Sequence, residues 1–308
     1  MKPGILVVGS SNTDMIVKVQ RLPQPGETVL GGEFVSAAGG KGANQAVGAA
    51  RAGGDVTFVA RVGDDAFGKL AIAGFARDGI RTDYVVRDRR RPSGVALIVV
   101  GAGGQNSIAV APGANGRLSP ADVRRADRAF GAARVLLLQL ETPLETVLAA
   151  TALAVRRGLR VILNPAPARP LPNALLRRVS ILTPNETEAE LLTGVKVTSD
   201  AAAARAAERL LARGVAAVVI TLGRRGAFVS DGDGGRRLPG FAVKAVDTTA
   251  AGDIFNGALA VAMAEGRKMD EAVRFANAAA ALSVMRLGAQ PSAPVRTHIQ
   301  RFLQSRAG

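Results

Sequence analysis

Short apolar runs alternate along the chain with longer segments whose apolar positions recur every three or four residues, a pattern that predicts strands and helices in succession. The first run, residues 5–8 (Ile-Leu-Val-Val), stops at Gly9 and has the unbroken hydrophobicity of a strand covered on both faces. Further strands are expected at 56–60, near Tyr84, and at 95–100, 108–110, 135–138, 161–163, 181–182 and 215–220. Helices are expected at 43–52, near 65–77, after Pro120, from Pro143, after the loop at 247–252, and over 275–287. This order implies an α/β fold, doubly wound, with a mostly parallel central sheet flanked by helices. One stretch departs from it. Residues 15–19 and 28–35 are β-rich and are separated only by the turn Pro23-Gln24-Pro25-Gly26, which predicts a small antiparallel β flap beside the main sheet.

Polar residues fall just beyond the apolar runs, where open α/β sheets bind their ligands. Asn12, Thr13 and Asp14 follow the first run, and Glu141 follows Gln139-Leu140. An Asx turn accounts for the trio equally well, and a capping acid ahead of Pro143 accounts for Glu141.

The most informative segment is Val246-Asp247-Thr248-Thr249-Ala250-Ala251-Gly252-Asp253-Ile254-Phe255-Asn256-Gly257-Ala258, read as a loop entering a helix. Small and hydroxylated residues from Thr248 to Gly252 let the backbone approach a ligand, and the first free N–H groups of the helix form an anion cup. A carboxylate at Asp253 would repel a resting phosphate. It suits a phosphoryl group in transit, with Asp253 taking the proton of the attacking hydroxyl, although a first-turn acid favoured by the helix dipole is the structural alternative. Upstream, Gly39-Gly40-Lys41-Gly42 opens a small-residue helix carrying Asn44, but it lacks the G-K-[ST] ending of a Walker A loop. The structural alternative for Lys41 is a solvated lysine at a helix start. Asn185 and Glu188, three apart, share one face of a first helical turn and also fit a capping box.

Composition narrows the chemistry. The 308 residues include no Cys and a single His, His298, so thiolate and histidine metal clusters are excluded and any metal would sit on oxygen. A 48% hydrophobic share with only 4% aromatic describes a globular protein with an aliphatic core. Residues 5–8 are too short for a signal-peptide core, and no segment reaches membrane-span length, so no membrane association and a cytoplasmic location are expected. The net charge of +15 invites a nucleic-acid reading, but the arginines are scattered. The one compact run, 87–91, has no interleaved aromatic residues for base stacking, so no nucleic-acid partner is expected.

The Gly39–Gln45 and Asp247–Asp253 segments, two long motifs in this order across nearly all of the chain, resemble the two signatures of the ribokinase-like carbohydrate kinases. The resemblance implies one kinase domain over 1–308, with lid strands inserted at about 15–35 and 84–110 that also serve as a homodimer surface. It implies ATP-dependent phosphorylation of D-ribose at the 5-hydroxyl, with another small sugar or a nucleoside (deoxyribose, fructose, adenosine) as alternatives within the family. Asp253 would be the base, and Ala250, Ala251 and Gly252 the anion hole. Asn12, Asp14, Gly40, Lys41, Asn44, Glu141 and Asp253 would hold the sugar. ATP would lie against Asn185, Thr221, Gly223, Gly226, Gly252 and Asn277. Mg²⁺ would accompany ATP, positioned by Asn185 and Glu188 through water. An activating K⁺ would be held by Asp247, by backbone oxygens of Thr249, Ser283, Arg286 and Gly288, and by Ser292; oxygen-only ligation with one carboxylate suits potassium better than magnesium. Two positions depart from the family pattern: Ile254 replaces a customary Thr, and Asn277 stands where His is frequent near the adenine.

Overall fold

The computed structural model describes Lys2 and residues 4–306. Strand β1 (Gly4–Val8) leads into β2 (Asn12–Val19) and β3 (Phe34–Gly39), followed by helix α1 (Lys41–Arg51) and β4 (Asp55–Gly63). Asp65 caps α2 (Ala66–Arg77) by accepting from the Gly68 N–H at 2.8 Å. Then come β5 (Arg81–Asp88), β6 (Gly94–Gly101), β7 (Asn106–Ala111) and a 3-10 turn at Gly113–Arg117. Short helices α3 (Pro120–Arg125) and α4 (Asp127–Ala132) precede β8 (Val135–Leu138), α5 (Leu144–Arg156), β9 (Arg160–Leu163), α6 (Asn173–Leu176) and β10 (Ile181–Leu182). The chain continues through α7 (Glu186–Thr193), α8 (Asp200–Ala212), β11 (Val218–Thr221), and the hairpin β12 (Ala227–Asp231) and β13 (Gly234–Leu238). It ends with α9 (Ala251–Ala264), α10 (Met269–Ser283) and α11 (Arg296–Gln304).

Nine strands form one sheet in the order β13-β12-β11-β10-β9-β8-β1-β4-β5, parallel from β11 to β5, with the hairpin adding an antiparallel edge. Alternate side chains of each buried strand enter opposite layers, as the two-residue strand period requires. Ile5, Val7, Leu137, Ile162 and Val219 pack with residues of α1, α9 and α10, whereas Leu6, Val8, Leu136, Leu138, Val161 and Ile220 pack with residues of α5, α7 and α8. Both faces are covered, which is why these strands read as solid apolar runs. From β1 the chain proceeds outward to β4, and β8 then lies on the opposite side of β1. The crevice beyond the ends of β1 and β8 is therefore the topological switch point of the sheet.

The second sheet, β3-β2-β6-β7, has antiparallel outer pairs around a parallel β2–β6 pair. Its boundaries differ from expectation. Residues 28–33, read as strand, lie outside β3, because Gly31 and Gly32 interrupt that segment. The paired stretch is instead the small-residue run to Gly39, whose register places Ala37 against Asp14. Tyr84, counted with the lid, sits in β5 at the edge of the large sheet and pairs with Val59 of β4. The helix expected over 275–287 runs from Met269 to Ser283, carried upstream by Ala272, Val273 and Ala276 on its buried face. The β12–β13 hairpin, α8 and α11 were not anticipated. No helix among the described residues is long and apolar enough to cross a membrane.

Helices α1 and α9 cross closely enough that side chains are excluded at the contact. A Cβ at Gly257 would lie 2.7 Å from the backbone of both Ala49 and Gln45, and one at Gly48 would lie 3.1 Å from Ile254 Cδ1. Ile254 is thus buried packing against α1, which accounts for an aliphatic residue in place of a hydroxyl.

Candidate active site

The N-terminus of α1 is threaded under the chain leaving β1. Gly40 has φ 87°, and a Cβ there would stand 2.6 Å from Asn12 N. A Cβ at Gly42 would stand 2.5 Å from Ser10 N, and one at Gly39 would meet the Asp14 carboxylate at 2.2 Å. The glycines of the first motif therefore make room for Ser10, Asn12 and Asp14. Ser10 Oγ donates to Glu141 Oε2 at 2.5 Å, the Lys41 N–H donates to the same oxygen at 2.9 Å, and the Gly42 N–H donates to Ser10 Oγ at 3.2 Å. Glu141 is thereby fixed against the start of α1. Asn115, from the 3-10 turn after β7, accepts from Ser11 N–H at 2.8 Å and donates to Ser11 O at 3.0 Å and to Asn12 Oδ1 at 2.7 Å. Neither Ser10 nor Asn115 was singled out in the sequence.

Asp253 lies in the first turn of α9 and is 6% exposed. Its carboxylate accepts from Asn44 Nδ2 at 3.1 Å and from Gln45 Nε2 at 3.0 Å. Asn44 Oδ1 is buried and unpartnered, an acceptor left over for a ligand hydroxyl. Ala250, at φ 58°, is the sole non-glycine residue with positive φ among the described residues, so the backbone entering α9 is held in a costly conformation. The Ala251 N–H turns back to Thr248 O at 3.3 Å, and Ile254 N–H closes the first helical bond on Ala250 O at 2.9 Å. Between them the N–H groups of Gly252 and Asp253 are uncommitted within the helix, as first-turn donors are. A Cβ at Gly252 would meet nothing within 4 Å, which leaves the approach to these donors open.

Charge concentrates here. Burial works against the Lys41 ammonium, but Asp253, Glu141, Glu188 and Asp14 outweigh it and raise its pKa; Lys41 is half-buried among them. Burial raises Asp253 against the opposing pull of Lys41, Gln45 and Asn44. Burial also raises Asp14, with Glu141 and Asp253 adding to it, from 3.8 to about 6. Glu188 is raised by burial, partly offset by the Asn185 N–H and Lys41.

The remaining motifs gather in two places. Asn185 and Glu188 form a reciprocal capping box on α7, with the Asn185 N–H donating to Glu188 Oε2 at 2.9 Å and the Glu188 N–H donating to Asn185 Oδ1 at 2.8 Å. Asn185 also bridges Thr221. Gly223, at φ 55°, has open space over it, whereas a Cβ at Gly226 would strike Leu238 O at 2.2 Å. Asn277 Nδ2 donates to Pro239 O at 3.3 Å, so Gly226 and Asn277 both abut the segment leaving β13. Elsewhere, Asp247 accepts from Thr249 N–H and from Gly288 N–H, each at 2.8 Å, and Val284 O accepts from Val246 N–H at 2.7 Å. The loop before α9 is thus tied to the turn after α10. Burial opposes the charge on Asp247, but the Thr249 and Gly288 bonds prevail and lower its pKa. Ser283 Oγ and Ser292 Oγ donate locally, to Ala280 O and Ala289 O, and Arg286 N–H donates to Ser283 O.

A buried carboxylate beside uncommitted helix N–H groups, at the switch point of a parallel sheet and next to a polar cluster fit for a polyol, defines the class as a sugar phosphotransferase. Comparison with known proteins gives the family. The chain matches the pfkB family carbohydrate kinases over residues 2–296 and belongs to that family. It is 45% identical to the ribokinase of Haemophilus influenzae over 304 residues, covering 99% of each chain. It is 42% identical to the ribokinase of Bacillus subtilis over 299 residues, covering 97% of this chain and 99% of the other. The structure of Arabidopsis thaliana ribokinase complexed with ribose and ATP matches with a TM-score of 0.91 at 37% identity, covering 99% of both chains.

The raised Asp14 makes a test possible without substrate. The folded chain holds its proton up to about pH 6 and the unfolded chain releases it near 3.8, so ionising Asp14 reduces stability as pH rises through that window. Asp14→Asn should therefore raise the Tm of the ligand-free protein at about pH 8, with the two proteins converging near pH 4. Thermal denaturation across pH checks this, and a variant less stable than the parent throughout would refute it.

Proposed function

We propose that the protein transfers the γ-phosphoryl group of ATP to the 5-hydroxyl of D-ribose, giving D-ribose 5-phosphate and ADP. The placement of Asp253 carries this reading, because its carboxylate sits among the sugar-cluster residues and in the turn that presents free N–H donors. Ribose lies between Asn12, Asp14, Gly40, Asn44 and Glu141. Asp14 and Glu141 offer acceptors to adjacent hydroxyls, and the unpartnered Asn44 Oδ1 supplies another. The 5-oxygen attacks the γ-phosphorus as its proton passes to Asp253, and the bond to the bridging oxygen breaks, with that electron pair leaving on ADP. The Ala250, Ala251 and Gly252 turn holds the charge developing on the γ-oxygens; its Gly252 N–H is uncommitted within the helix, while the Ala251 N–H must give up its 3.3 Å bond to Thr248 O to take part. Lys41, facing four carboxylates, offsets the repulsion they would exert on ATP. The nucleotide runs along Asn185, Thr221, Gly223, Gly226 and Asn277. Phe34 is the sole aromatic residue of the lid strands β2 and β3, which suits a bare sugar better than a base-bearing substrate.

Mg²⁺ would accompany ATP in this reading and would supply charge neutralisation to its phosphates. Asn185 and Glu188 would hold it through water, and the buried Glu188 carboxylate engages the Asn185 N–H through Oε2, leaving Oε1 outside the capping box. Lid closure excludes water from the reacting groups. The setting this implies is the cytoplasm, where ATP is supplied.

The first test is Asp253→Asn, which keeps size and removes the base. Turnover should fall by about 10²–10⁴ while the KM for ribose changes little. In a panel of ribose, deoxyribose, fructose and adenosine with coupled ADP detection, the parent should prefer ribose. Near-parental turnover in the variant would defeat the mechanism, and preference for another sugar would reassign the substrate.

Potassium activation is the second expectation. Asp247, the carbonyls of Thr249, Ser283, Arg286 and Gly288, and Ser292 belong to two segments already joined through Val284 and Gly288. A cation shared between them would stiffen the loop that shapes the Ala250 turn, raising kcat more than it changes KM. Rates should be higher in potassium than in sodium or a bulky organic cation, and equal rates in all three would dismiss the site.

The lid also fits a homodimer contact. The strand register puts Phe34 and Leu97 on one face, 64% and 52% exposed, and Ile108 and Val110 on the face that carries Asp14. Apolar exposure of this kind marks an association surface. Sedimentation should show a dimer that Leu97→Asp converts to monomer, and a monomeric parent would refute it.

A further inference from the structure

The residues immediately beyond three neighbouring parallel strands are polar and buried: Gln139 after β8, Asn164 after β9 and Thr183 after β10. They are joined through Gln45 of α1, which is 0% exposed. Gln139 Nε2 donates to Gln45 Oε1 at 2.5 Å, and Gln45 Nε2 donates to Asp253 Oδ1 at 3.0 Å and to Asn164 Oδ1 at 3.1 Å. Asn164 Nδ2 donates to Thr183 O at 3.1 Å, and Thr183 Oγ1 donates to Asn256 Oδ1 at 2.6 Å. Asn256 Nδ2 then donates to Gly252 O at 2.8 Å. The circuit leaves the Asp253 side chain and returns to the carbonyl of the residue before it.

We propose that Gln45, with Gln139 and Asn164 behind it, is a positioning residue that aims the Asp253 carboxylate and locks it to the turn presenting the free N–H donors. The polarity of the circuit is set at its ends. The Asp253 carboxylate and the Thr183 carbonyl only accept, so Gln45 must turn its NH₂ to Asp253 and Asn164 its NH₂ to Thr183. Gln45 Oε1 is then left to Gln139 and Asn164 Oδ1 to Gln45, and neither amide can flip without facing oxygen to oxygen. A scaffold could fill this space with apolar side chains at less desolvation cost. Five buried polar side chains do something such a filling cannot, which is to fix one carboxylate oxygen and leave the other, beside Asn44, to face the substrate.

This rests on Asp253 being the base, and the test keeps the two apart. The charged groups facing Asp253 are Lys41 from α1, Glu141 beyond β8, Asp14 from β2 and Glu188 from α7, and all are retained in the variants below. The single-turnover rate is measured against pH at saturating ribose and Mg-ATP. Removing a donor from a buried carboxylate disfavours its ionised form, so the acid limb should move to higher pH by roughly one unit in Gln45→Met. Gln45→Glu, which faces Asp253 with a second carboxyl group, should move it further. Gln139→Met, which never touches Asp253, should move it less but in the same direction, and the KM for ribose should change less than about twofold in all three. Acid limbs that stay in place, with only Tm or the number of active sites reduced, would overturn the proposal. ATP binding by calorimetry reports folding, and if the Gln45 variants fail it, Gln139→Met decides. Asp253→Asn runs alongside: lost turnover there with unmoved limbs defeats the relay alone, whereas retained turnover removes the base and the relay together.

Discussion

Gathering four carboxyl groups around one ammonium in a largely buried crevice is the constraint around which this molecule is arranged. Asp14, Glu141, Glu188 and Asp253 all face one ammonium, Lys41, and Glu188 and Asp253 are themselves buried. Isolated ionised carboxyl groups in such a place would simply take up protons. Here three kinds of donor hold them. Lys41 supplies the charge, the start of α1 gives Glu141 its Lys41 N–H, and the amides of Asn44 and Gln45 serve Asp253. Asp14 accepts no side-chain hydrogen bond, and burial raises it from 3.8 to about 6. In the proposed reading, a sugar rich in hydroxyl donors is the partner that would relieve it.

That arrangement requires two helix starts and two strand ends to meet at one place, and glycine makes it possible. Gly39, Gly40 and Gly42 let the chain leaving β1 cross the start of α1, and Gly257 lets α9 press onto the backbone of α1. Because α1 carries Asn44 and Gln45 on the side that meets α9, helix packing and catalytic geometry are the same contact. The unusual backbone of Ala250 is held at its far side by the bonds joining Asp247 to the turn after α10.

Much of this was readable before any coordinates. Buried parallel strands announce themselves as solid apolar runs, and the two motifs could be read as a helix start and as a loop entering a helix; Asn12 and Asp14, read as a turn after the first run, instead lie inside β2, where they pair with Gly39 and Ala37. Edges and small-residue strands could not. The run Ser36-Ala37-Ala38-Gly39 has no β-branched residue, yet it must be strand to pass beneath Asp14, and the β12–β13 hairpin has a polar second strand with Gly234 and Gly235. The partners of the site residues were equally hidden. Ser10, Asn115, Gln139, Asn164 and Thr183 come together only through tertiary contacts, with sequence separations of up to 131 residues. The one visible trace of the last three is a polar residue directly after each apolar run, as in Leu138-Gln139, Leu163-Asn164 and Leu182-Thr183.

The central claim is that Asp253 and the first turn of α9 together receive the reacting groups. A crystal structure of the complex with D-ribose and a non-hydrolysable ATP analogue tests it most directly. The 5-hydroxyl oxygen should lie about 2.6–3.2 Å from the Asp253 carboxylate, with the γ-phosphate on the N–H groups of that turn. A ribose whose 5-hydroxyl points away from Asp253, or a γ-phosphate bound elsewhere, would contradict the account.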